Sequence, residues 1–410
     1  MTRKPLMPVS EARANIVGAA KAVEQFEVVP LLSALGRVLA DDQRSTIDVP
    51  PCDNSAMDGY AFCFNDIAKS GTAHNSSDES RELVVSQRIP AGAIGKPLKA
   101  GTAARIFTGA AIPEGADTVV MQEDTESFGE AIRIVDSVKY GQHIRPKGQD
   151  IKSGGLVLAK GRRIQPQDIG LLASIGITEL RVFRRLKVAV VSTGDELVEP
   201  GSPLAEGQIY NSNRYTLSAL LANMGCEVID GGIVADDFER TCQQLKQLSV
   251  KADVIISSGG VSVGEEDHVK AAVESQGELA LWKLNIKPGK PLAFGTVNGT
   301  PFFGLPGNPS SVFVTFCLLA KPYLLTAQGQ ANVMPVVSQA VAGFDWQRAG
   351  SRQEYLRAKV DAGIARLYDN QSSGVLASVS WANALVILPP QTTVKQGDRV
   401  DVILLSGMIY

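Results

Sequence analysis

The stretch between residues 186 and 327 constrains the fold most, because uninterrupted apolar strand patterns alternate there with helical patterns. The runs KVAVVS, CEVIDGGIV and DVIISS predict strands, and the segments NRYTLSALLANMG and DFERTCQQLKQL between them predict helices. The strand patterns KLNI, PLAFGTV and TPFFGL follow, before a helix that opens at Asn308-Pro309. Apolar strands that alternate with helices are typical of a parallel sheet covered on both faces. We therefore expect an α/β domain here.

The chain on both sides of this stretch predicts mainly β structure. Between residues 83 and 138 the runs LVVSQRI, AARIF, DTVVMQED and AIRIVD are separated by Gly- and Pro-containing turns, which is typical of a small all-β domain. The segment GTAHNSSDES is expected to form a surface loop of that domain. Helices are predicted for SEARANIVGAAKAVEQF, capped by Ser10, and for QPQDIGLLASIGI, which begins at Pro166. From about residue 334 the runs EYLRAKV, ALVILPP and RVDVILL return to β.

Composition excludes several classes of protein. The chain has 40 Lys and Arg against 43 Asp and Glu, and a net charge of −3 argues against a nucleic-acid binder. Its 3 His leave acid–base and metal chemistry mainly to carboxylates. The 5 Cys lack CxxC spacing, which argues against a disulfide framework or a zinc site and fits a reducing compartment. No apolar signal segment opens the chain, and the apolar run 312–320 predicts a buried helix, so we expect a cytoplasmic protein without a membrane span.

Four loops follow the strands of the predicted sheet, with the sequences TGDE, ADD, GGVSVGEED and PGNPSS. Ligands of open α/β sheets bind beyond the carboxyl ends of the strands, so these loops are expected at the ligand edge. Glycine-rich turns let backbone N–H groups approach a phosphate, and the helix that begins at Pro309 directs its N-terminal dipole toward it. Carboxylates beside a phosphate require a cation, for which Mg²⁺ is the natural choice. The pattern predicts an anionic phosphate ligand bound with a divalent metal.

Each of these features also has a purely structural interpretation. The pair Asp236-Asp237 and the run 265–267 are compatible with acidic first turns of helices. Gly259-Gly260 is compatible with a tight turn, and Asn308-Pro309 with an ordinary helix start. The coincidence of all four loops at one edge of one sheet favours the ligand site.

Two other sequence features, the run GVSVG and two aspartates in loops, are weaker indications of a catalytic site. The run GVSVG matches the G-x-S-x-G pattern of serine hydrolases with Ser262 as the nucleophile, but the one histidine downstream is His268, and the predicted strand ends before the pattern begins. A serine hydrolase is therefore disfavoured. Asp58 and Asp150 lie in Gly-containing loops outside the α/β stretch, where aspartate is typical of turns.

Taken together, the longer motifs resemble a known family. They are NSAMDGYA, RIFTGAAIPEGADTVVMQED, GQDI, STGDEL, the NSN of IYNSNRYTL, the DD after the second strand, SSGGVSVGEEDH, IKPGKP and GLPGNPSSVFVTF. In this order they are similar to the MoeA/gephyrin E-domain family, the molybdenum insertases of molybdenum-cofactor synthesis. The resemblance runs from the first helix to the final β region.

The resemblance implies a multidomain α/β plus β fold. The expected parts are a mixed N-terminal domain (1–45 plus 140–180), a small β-rich domain (46–139), a molybdopterin-binding three-layer α/β domain (181–328) and a C-terminal β-barrel domain (329–410). It also implies a homodimer whose active site is shared between chains, and the upstream molybdopterin adenylyltransferase as a partner. The implied reaction uses adenylylated molybdopterin and molybdate, depends on Mg²⁺ and releases AMP.

The resemblance also implies the site. The acidic set falls on Asp58, Asp150, Glu196, Asp236 and Asp267, of which Glu196, Asp236 and Asp267 would bind the metal. The substrate-binding residues expected from the family motifs and the glycine-rich loops are Thr108, Gly194, Gly259, Gly260, Lys283, Lys287, Pro306, Gly307, Pro309 and Ser310. In the family picture, the loops of Asp58 and Asp150 face the α/β cleft of the partner chain.

Three alternatives stay open. The first is a non-catalytic, gephyrin-like scaffold, which the lack of a fused adenylyltransferase domain disfavours. The second is a Mg²⁺-dependent phosphoanhydride hydrolase of the same fold. The third is a paralogue that handles sulfur or tungsten, since the residues do not specify the metal.

Overall fold

The computed structural model describes residues 6–68, 82–260 and 268–406, which form two compact units. The first unit contains the chain up to Asp41, Lys160–Gln165, and everything from Glu179 onward. The second contains Asp42–Ala159 and Pro166–Thr178. This division is coarser than the four domains expected from sequence, so their boundaries stay predictions. The predicted surface loop GTAHNSSDES lies outside the described residues, as do Ser262 and Asp267.

The helices and strands up to residue 183 are, in chain order, α1 (Val9–Gly18), β1 (Phe26–Pro30), β2 (Gln43–Arg44), β3 (Asn54–Ser55), β4 (Gly59–Phe62), α2 (Phe64–Ala68), β5 (Glu82–Ile89), β6 (Thr102–Ile106), β7 (Thr118–Met121), β8 (Thr125–Phe128), β9 (Ala131–Ile134), β10 (Ile144–Arg145), β11 (Leu156–Leu158), α3 (Pro166–Ser174) and β12 (Glu179–Phe183).

The elements that follow are β13 (Lys187–Thr193), β14 (Leu197–Val198), β15 (Ile209–Tyr210), α4 (Ser212–Asn223), β16 (Glu227–Val234), α5 (Phe238–Lys251), β17 (Val254–Ser258), α6 (His268–Gln276), β18 (Leu279–Lys283), β19 (Ile286–Lys287), β20 (Pro291–Val297), β21 (Thr300–Leu305), α7 (Pro309–Thr315), α8 (Lys321–Ala327), β22 (Val337–Ala342), β23 (Gln353–Asp361), β24 (Ile364–Leu367), α9 (Leu376–Trp381), β25 (Ala384–Leu388) and β26 (Arg399–Leu404).

The first helix is shorter than the sequence predicts. It begins after Pro8 with no side-chain cap, so Ser10 lies inside the first turn and does not cap it. It ends at Gly18, because the chain beyond it enters β1, which pairs antiparallel with β12. The predicted helix at Pro166 is confirmed as α3.

A six-stranded sheet in the order β7-β4-β6-β5-β9-β8 dominates the second unit, which confirms the predicted small β region. Consecutive residues of its strands face opposite sides, so Ala61 packs into one core and Phe62 into another. Val119 and Val120 likewise pack into the two different cores, one on each face of the sheet. The sheet therefore supports a core on each face.

The α/β domain of the first unit contains a second six-stranded sheet, in the order β16-β13-β17-β21-β20-β18. Helices cover both faces, since Val188 and Val190 pack in the core with α4 and α7, and Ala189 and Val191 in the core with α5 and α6. The expected three layers are present. The first four strands are parallel, but β20 pairs antiparallel with both β21 and β18, which corrects the expectation of a purely parallel sheet.

The antiparallel pairing of β20 with β21 has a local reason. Only Asn298 and Gly299 join β20 to β21, and both have positive φ (49° and 83°). Two such residues make a tight hairpin, which can connect only antiparallel strands. The predicted strand KLNI is divided in the structure, because Lys283 ends β18 and Ile286 begins β19.

One long helix runs from Pro309 to Ala327 through α7, a π-helical turn at Phe316–Ala320, and α8. By length and composition it is the one helix of the described ranges that could cross a membrane, but nearly all of it is buried inside the protein. Burial of this kind belongs to a core helix, as the apolar run predicted.

The C-terminal region forms a closed barrel. Its strands follow the order β23-β24-β22-β26-β25, and β25 pairs back to β23, while β19 adds a sixth strand at the side. The interior holds residues such as Leu356, Val386 and Val402. Leu385 and Ile403 face outward instead and join the core of the α/β domain. The expected multidomain α/β plus β fold with a terminal barrel is confirmed.

Candidate functional site

A cavity of about 820 Å³ lies at the carboxyl ends of the parallel strands. The loops after β13, β16, β17 and β21 line one side with Thr193, Gly194, Glu196, Asp236, Gly259, Gly260, Pro306, Gly307, Asn308 and Ser311. The segment after β19 and loops of the barrel complete it with Lys287, Pro288, Gly289, Lys290, Pro291, Arg352, Gln371, Ser372 and Ser373. The four loops that the sequence placed at one edge thus meet at one cavity.

Two glycines bring the backbone close to this cavity. Gly260 has φ of +66°, and a Cβ there would collide with the side chain of Val269 and lie 2.7 Å from Thr193 Oγ1. Gly194 has φ of +141°, and a Cβ there would lie 2.8 Å from the carboxyl carbon of Glu196. Larger residues would therefore displace the turn or the carboxylate.

Carboxylates form one end of the cavity. Glu196 and Asp236 line it, and Asp195 Oδ1 accepts a hydrogen bond from the Asp236 amide at 3.1 Å. Partial burial, then the charges of Asp195 and Glu196, raise the pKa of Asp236. Asp237 does not line the cavity, because it caps α5 by accepting from the Arg240 amide at 2.7 Å. Asp237 therefore has the purely structural role of a helix cap.

The donor set suits Mg²⁺ in part. The described residues contain no group of three or more His, Cys, Asp or Glu arranged to hold a metal, and Asp267 lies outside them. Glu196 and Asp236 supply two carboxylates to the cavity, and burial, followed by the charges of Asp195 and Glu196, raises the pKa of Asp236. One or two carboxylates with waters and substrate phosphates are the usual ligands of Mg²⁺ in phosphate sites.

The cations of the cavity come from the segment after β19 and from the barrel, and we call Lys287, Lys290 and Arg352 the cationic wall. Lys287 donates to the buried Glu354 carboxylate at 3.1 Å, which offsets much of its charge. Arg352 donates to the Ile286 carbonyl at 3.0 Å, and within the described ranges no carboxylate pairs with Arg352 or Lys290. The net positive charge of this wall therefore comes from Lys290 and Arg352, which sequence reasoning missed. Arg352 lies in the barrel region, and the strand-end rule that located the four loops gives no signal for it.

The barrel loop 371–373 is tied to the start of the long helix. The Ser310 amide donates to the Ser373 carbonyl at 3.0 Å, and its hydroxyl donates to the Val375 carbonyl at 2.8 Å. Ser310 is buried and does not line the cavity, whereas Ser311 does. Ser310, which was predicted to bind the substrate, therefore lies behind the residues that line the cavity.

The remaining predicted residues of this unit divide between the cavity and its surroundings. Pro306 and Gly307 line it, and the Gly307 carbonyl accepts from Asn213 Nδ2 at 2.7 Å. Pro309 is the first residue of α7 and is not among the lining residues. Lys283 is exposed at the end of β18 and does not line the cavity either.

Thr193 is a further residue that sequence reasoning did not single out. Its side chain lines the cavity and is only 7% exposed. Its Oγ1 is buried, and no hydrogen-bond partner for it exists among the residues that the structure describes. A buried polar group without a partner calls for an explanation, and a ligand bound in the cavity is a candidate partner for this hydroxyl.

The second unit brings Asp58 and Thr108 together. Asp58 Oδ1 accepts from both the amide and the hydroxyl of Thr108, each at 2.8 Å. These two bonds, with the nearby charge of Arg105, lower the pKa of Asp58, so its carboxylate is held ionised. Asp150 is exposed, and its amide donates to the Val49 carbonyl at 3.0 Å.

Comparisons with known proteins identify the family. Three family models match, described as MoeA N-terminal region (domain I and II) over residues 7–176, probable molybdopterin binding domain over 189–326, and MoeA C-terminal region (domain IV) over 339–405. A Haemophilus influenzae relative named molybdopterin molybdenumtransferase is 40% identical over 354 residues, which cover 86% of this chain and 85% of the relative. The chain belongs to the molybdopterin molybdenumtransferase, or MoeA, family. The resemblance seen in the motifs is therefore confirmed.

Other members of the MoeA family agree. A molybdopterin molybdenumtransferase of a Nostoc species is 38% identical over 405 residues, which cover 95% of this chain and 91% of the relative. A crystal structure of the molybdopterin biosynthesis MoeA protein from Pyrococcus horikoshii superposes with a TM-score of 0.84 at 31% identity, over 98% of this chain and all of that one. This is a family of transferases, and the cavity lies mainly in the region that the molybdopterin-binding model matches.

Proposed function

We propose that this protein is the molybdenum insertase of molybdenum-cofactor biosynthesis. It would take adenylylated molybdopterin and molybdate, cleave the phosphoanhydride with Mg²⁺, release AMP and yield molybdenum-loaded molybdopterin. The observation that carries the proposal is that carboxylates and cations line one and the same cavity, within a MoeA-family fold. The carboxylates suit a metal-bound phosphoanhydride, and the cations suit an oxyanion.

The carboxylate end would hold the metal. Glu196 and Asp236 are its candidate ligands, and Asp267 stays a prediction outside the described residues. Bound Mg²⁺ would polarise the scissile phosphoryl group and offset the charge of the two carboxylates. Gly194, Gly259 and Gly260 allow the backbone to approach the substrate, and the long helix directs its N-terminal end toward the same cavity.

The cationic wall would bind molybdate. Arg352 and Lys290 supply charge, and Ser311 also lines the cavity. Charge-assisted hydrogen bonds from guanidinium and ammonium groups are the strong contacts that a tetrahedral oxyanion needs. Lys287 serves this wall as well, although its ammonium is shared with Glu354.

The second unit would contribute from a partner chain. Asp58, held ionised by Thr108, and Asp150 are suited to act on a substrate that also contacts the cavity of another subunit. The homodimer, the upstream adenylyltransferase as partner and the cytoplasmic location belong to this proposal as well.

The carboxylate assignment is tested by AMP release from adenylylated molybdopterin in the presence of molybdate. We expect Glu196→Gln and Asp236→Asn to lower turnover by about 10²- to 10³-fold, in line with the loss of other preorganised electrostatic groups, and to raise the Mg²⁺ concentration needed. Glu239→Gln is the matched control, since Glu239 is an exposed acid of α5 that does not line the cavity. Normal release and Mg²⁺ dependence in both variants would refute the assignment.

The cationic wall is tested separately by varying the molybdate concentration. We expect Arg352→Gln and Lys290→Gln to raise the KM for molybdate about tenfold or more, with little change in the affinity for the adenylylated substrate. Lys283→Gln should behave as wild type, because Lys283 lies outside the cavity. An unchanged KM in both wall variants contradicts the molybdate assignment, and AMP release without molybdenum transfer would instead indicate the hydrolase alternative.

A further inference from the structure

The side chain of Asn213 ties the first turn of α4 to the loop after β21. Its Nδ2 donates to the Gly307 carbonyl at 2.7 Å. Gly307 and Asn308 line the cavity of the proposed active site, whereas Asn213 does not. We propose that Asn213 is a positioning residue, which holds this loop so that the Asn308 amide donates to a phosphoryl oxygen of the substrate. This role rests on the proposed function and adds a backbone donor to the same cavity.

The peptide group between Gly307 and Asn308 links one hydrogen bond to the direction of another. This peptide bond is trans, and the carbonyl oxygen and amide hydrogen of a planar trans peptide point in opposite directions. Because the Gly307 carbonyl points to Asn213, the Asn308 amide points away from it. Within the described ranges, no residue accepts a hydrogen bond from this amide. The Asn308 N–H is therefore free to donate to a ligand in the cavity that the residue lines.

The start of α4, which carries Asn213, is itself fixed to the ends of two strands. Asn211 caps the helix, and its Oδ1 accepts from the Arg214 amide and from the Ser192 hydroxyl, each at 3.3 Å. Ser192 lies near the end of β13, and its hydroxyl contacts that of Ser258, the last residue of β17, at 3.1 Å. Asn211 and both serines are buried. The hydrogen bond from Asn213 therefore reaches the Gly307 loop from a rigid base.

A second unpaired group lies beside the same loop. Thr193 lines the cavity and is 7% exposed, and its Oγ1 has no partner in the part of the chain that the structure describes. A Cβ on Gly259 would lie 3.6 Å from this oxygen, and a Cβ on Gly307 would lie 4.0 Å from the Gly259 Cα. The Thr193 hydroxyl and the Gly307 loop thus meet around one glycine. Two free donors so close together suit the oxygens of one phosphoryl group.

The neighbours of Thr193 favour a phosphoryl oxygen over an oxygen of molybdate. Gly194 follows it in the chain, and a Cβ there would lie 2.8 Å from the carboxyl carbon of Glu196. Glu196 is a candidate metal ligand, so an oxygen held at this place would belong to the metal-bound phosphoanhydride. The cations assigned to molybdate, Lys290 and Arg352, come from the segment after β19 and from the barrel.

The test is Asn213→Asp, because aspartate keeps the size of the side chain and suits the first turn of a helix, but its carboxylate cannot donate to the Gly307 carbonyl. We expect the variant to melt like the wild type. Its rate of AMP release at saturating molybdate should fall about 10- to 100-fold, the effect of losing one hydrogen bond to a charged group. The KM for molybdate should stay within about twofold. Asn213→Ala removes the bond without adding repulsion, and should lose less activity than Asn213→Asp.

Calorimetric binding of pyrophosphate with Mg²⁺ separates this role from the proposed reaction. We expect Asn213→Asp to weaken binding about tenfold or more. Tyr215→Phe is the matched control and should bind like the wild type, because the Tyr215 hydroxyl of the same helix donates to Glu199 instead of the Gly307 loop.

The outcomes distinguish the two proposals. Equal pyrophosphate binding by Asn213→Asp and the wild type, or no binding by the wild type, overturns the positioning role, even where the wild type releases AMP normally. A melting temperature and a KM for molybdate that change as strongly as pyrophosphate binding also overturn it, because they indicate a general structural role for Asn213. Weakened pyrophosphate binding by the variant, with no AMP release by the wild type, supports the positioning role and refutes the insertase.

Discussion

At the scale of single residues, Thr193 is the clearest sign that the cavity is built for a ligand. Its hydroxyl is buried at the end of β13, beside the turn at Gly260, and lacks a partner within the described part of the chain. Leaving a buried polar group unpaired costs about 1–3 kcal/mol. A substrate oxygen would supply the missing partner, so the same atom that weakens the free protein would strengthen the complex.

Thr193→Val tests this, because valine keeps the shape and removes only the hydroxyl. We expect equal or higher thermal stability, and a KM for the adenylylated substrate raised about 10- to 100-fold, the value of a hydrogen bond to a charged group of about 1.5–3 kcal/mol. Thr193→Ser should restore most of the affinity. Unchanged kinetics with a lowered melting temperature would instead show that the hydroxyl serves the fold alone.

At the scale of elements, a buried arginine holds the barrel loop that lines the cavity. Arg357 of β23 is 1% exposed, and burial lowers its pKa to about 10. Its Nη2 donates to the Ser372 carbonyl at 3.0 Å, and its Nε donates to the Ser378 hydroxyl at 3.0 Å. Its backbone also exchanges hydrogen bonds with the Gln371 side chain. The loop 371–373 is thus fixed from behind by one strand.

Replacing this arginine should loosen the loop more than the fold. Methionine keeps the apolar packing of the side chain and removes the desolvation cost of a buried charge, so we expect Arg357→Met to remain folded. We expect its KM for molybdate to rise about tenfold, with turnover at saturating molybdate within about twofold of wild type. Ser378→Ala removes one contact and keeps the bond to Ser372, so its effect should be smaller. Equal KM values in both variants would contradict this role.

At the scale of the whole molecule, the α/β domain and the barrel share one core. Leu385 and Ile403 of the barrel lie in the same buried cluster as Val312 and Phe316 of the long helix. Both regions also belong to one compact unit of the chain. This shared core holds Arg352 and the loop 371–373 against the four loops of the sheet, so the cavity depends on it.

We therefore expect the two regions to unfold together. Leu385→Ala should destabilise this unit by about 2–5 kcal/mol, the usual cost of emptying a buried leucine site. In denaturant titrations, the fluorescence of Trp282, in the α/β domain, and of Trp346 and Trp381, in the barrel region, should change in one transition. Calorimetry should show one unfolding transition for this unit. Val386→Ala, whose side chain faces the barrel interior, should give a smaller shift of that transition. A barrel transition well separated from that of Trp282 would refute the shared core.

Local patterns predicted the elements well. The runs PLAFGTV and TPFFGL became β20 and β21 residue for residue, and the helix start at Asn308-Pro309 is where α7 begins. The capping role of Ser10 was predicted wrongly, because the helix already begins at Val9. The length of this helix was also predicted wrongly, because the following chain pairs as β1 with β12, which is distant in sequence. The free state of all five cysteines is as their spacing indicated.

The sequence by itself determined which elements form and which acids and glycines follow the strands, because periodicity and turn chemistry act between neighbouring residues. Glu196, Asp236, Gly259 and Gly307 reach one cavity since parallel strands end at one edge. The tertiary structure alone decided that Arg352 and the loop 371–373 line the same cavity, and that Ser310 lies behind the lining residues. Closure of the barrel and its packing on the long helix set those positions, and such contacts between distant residues leave no local pattern in the chain.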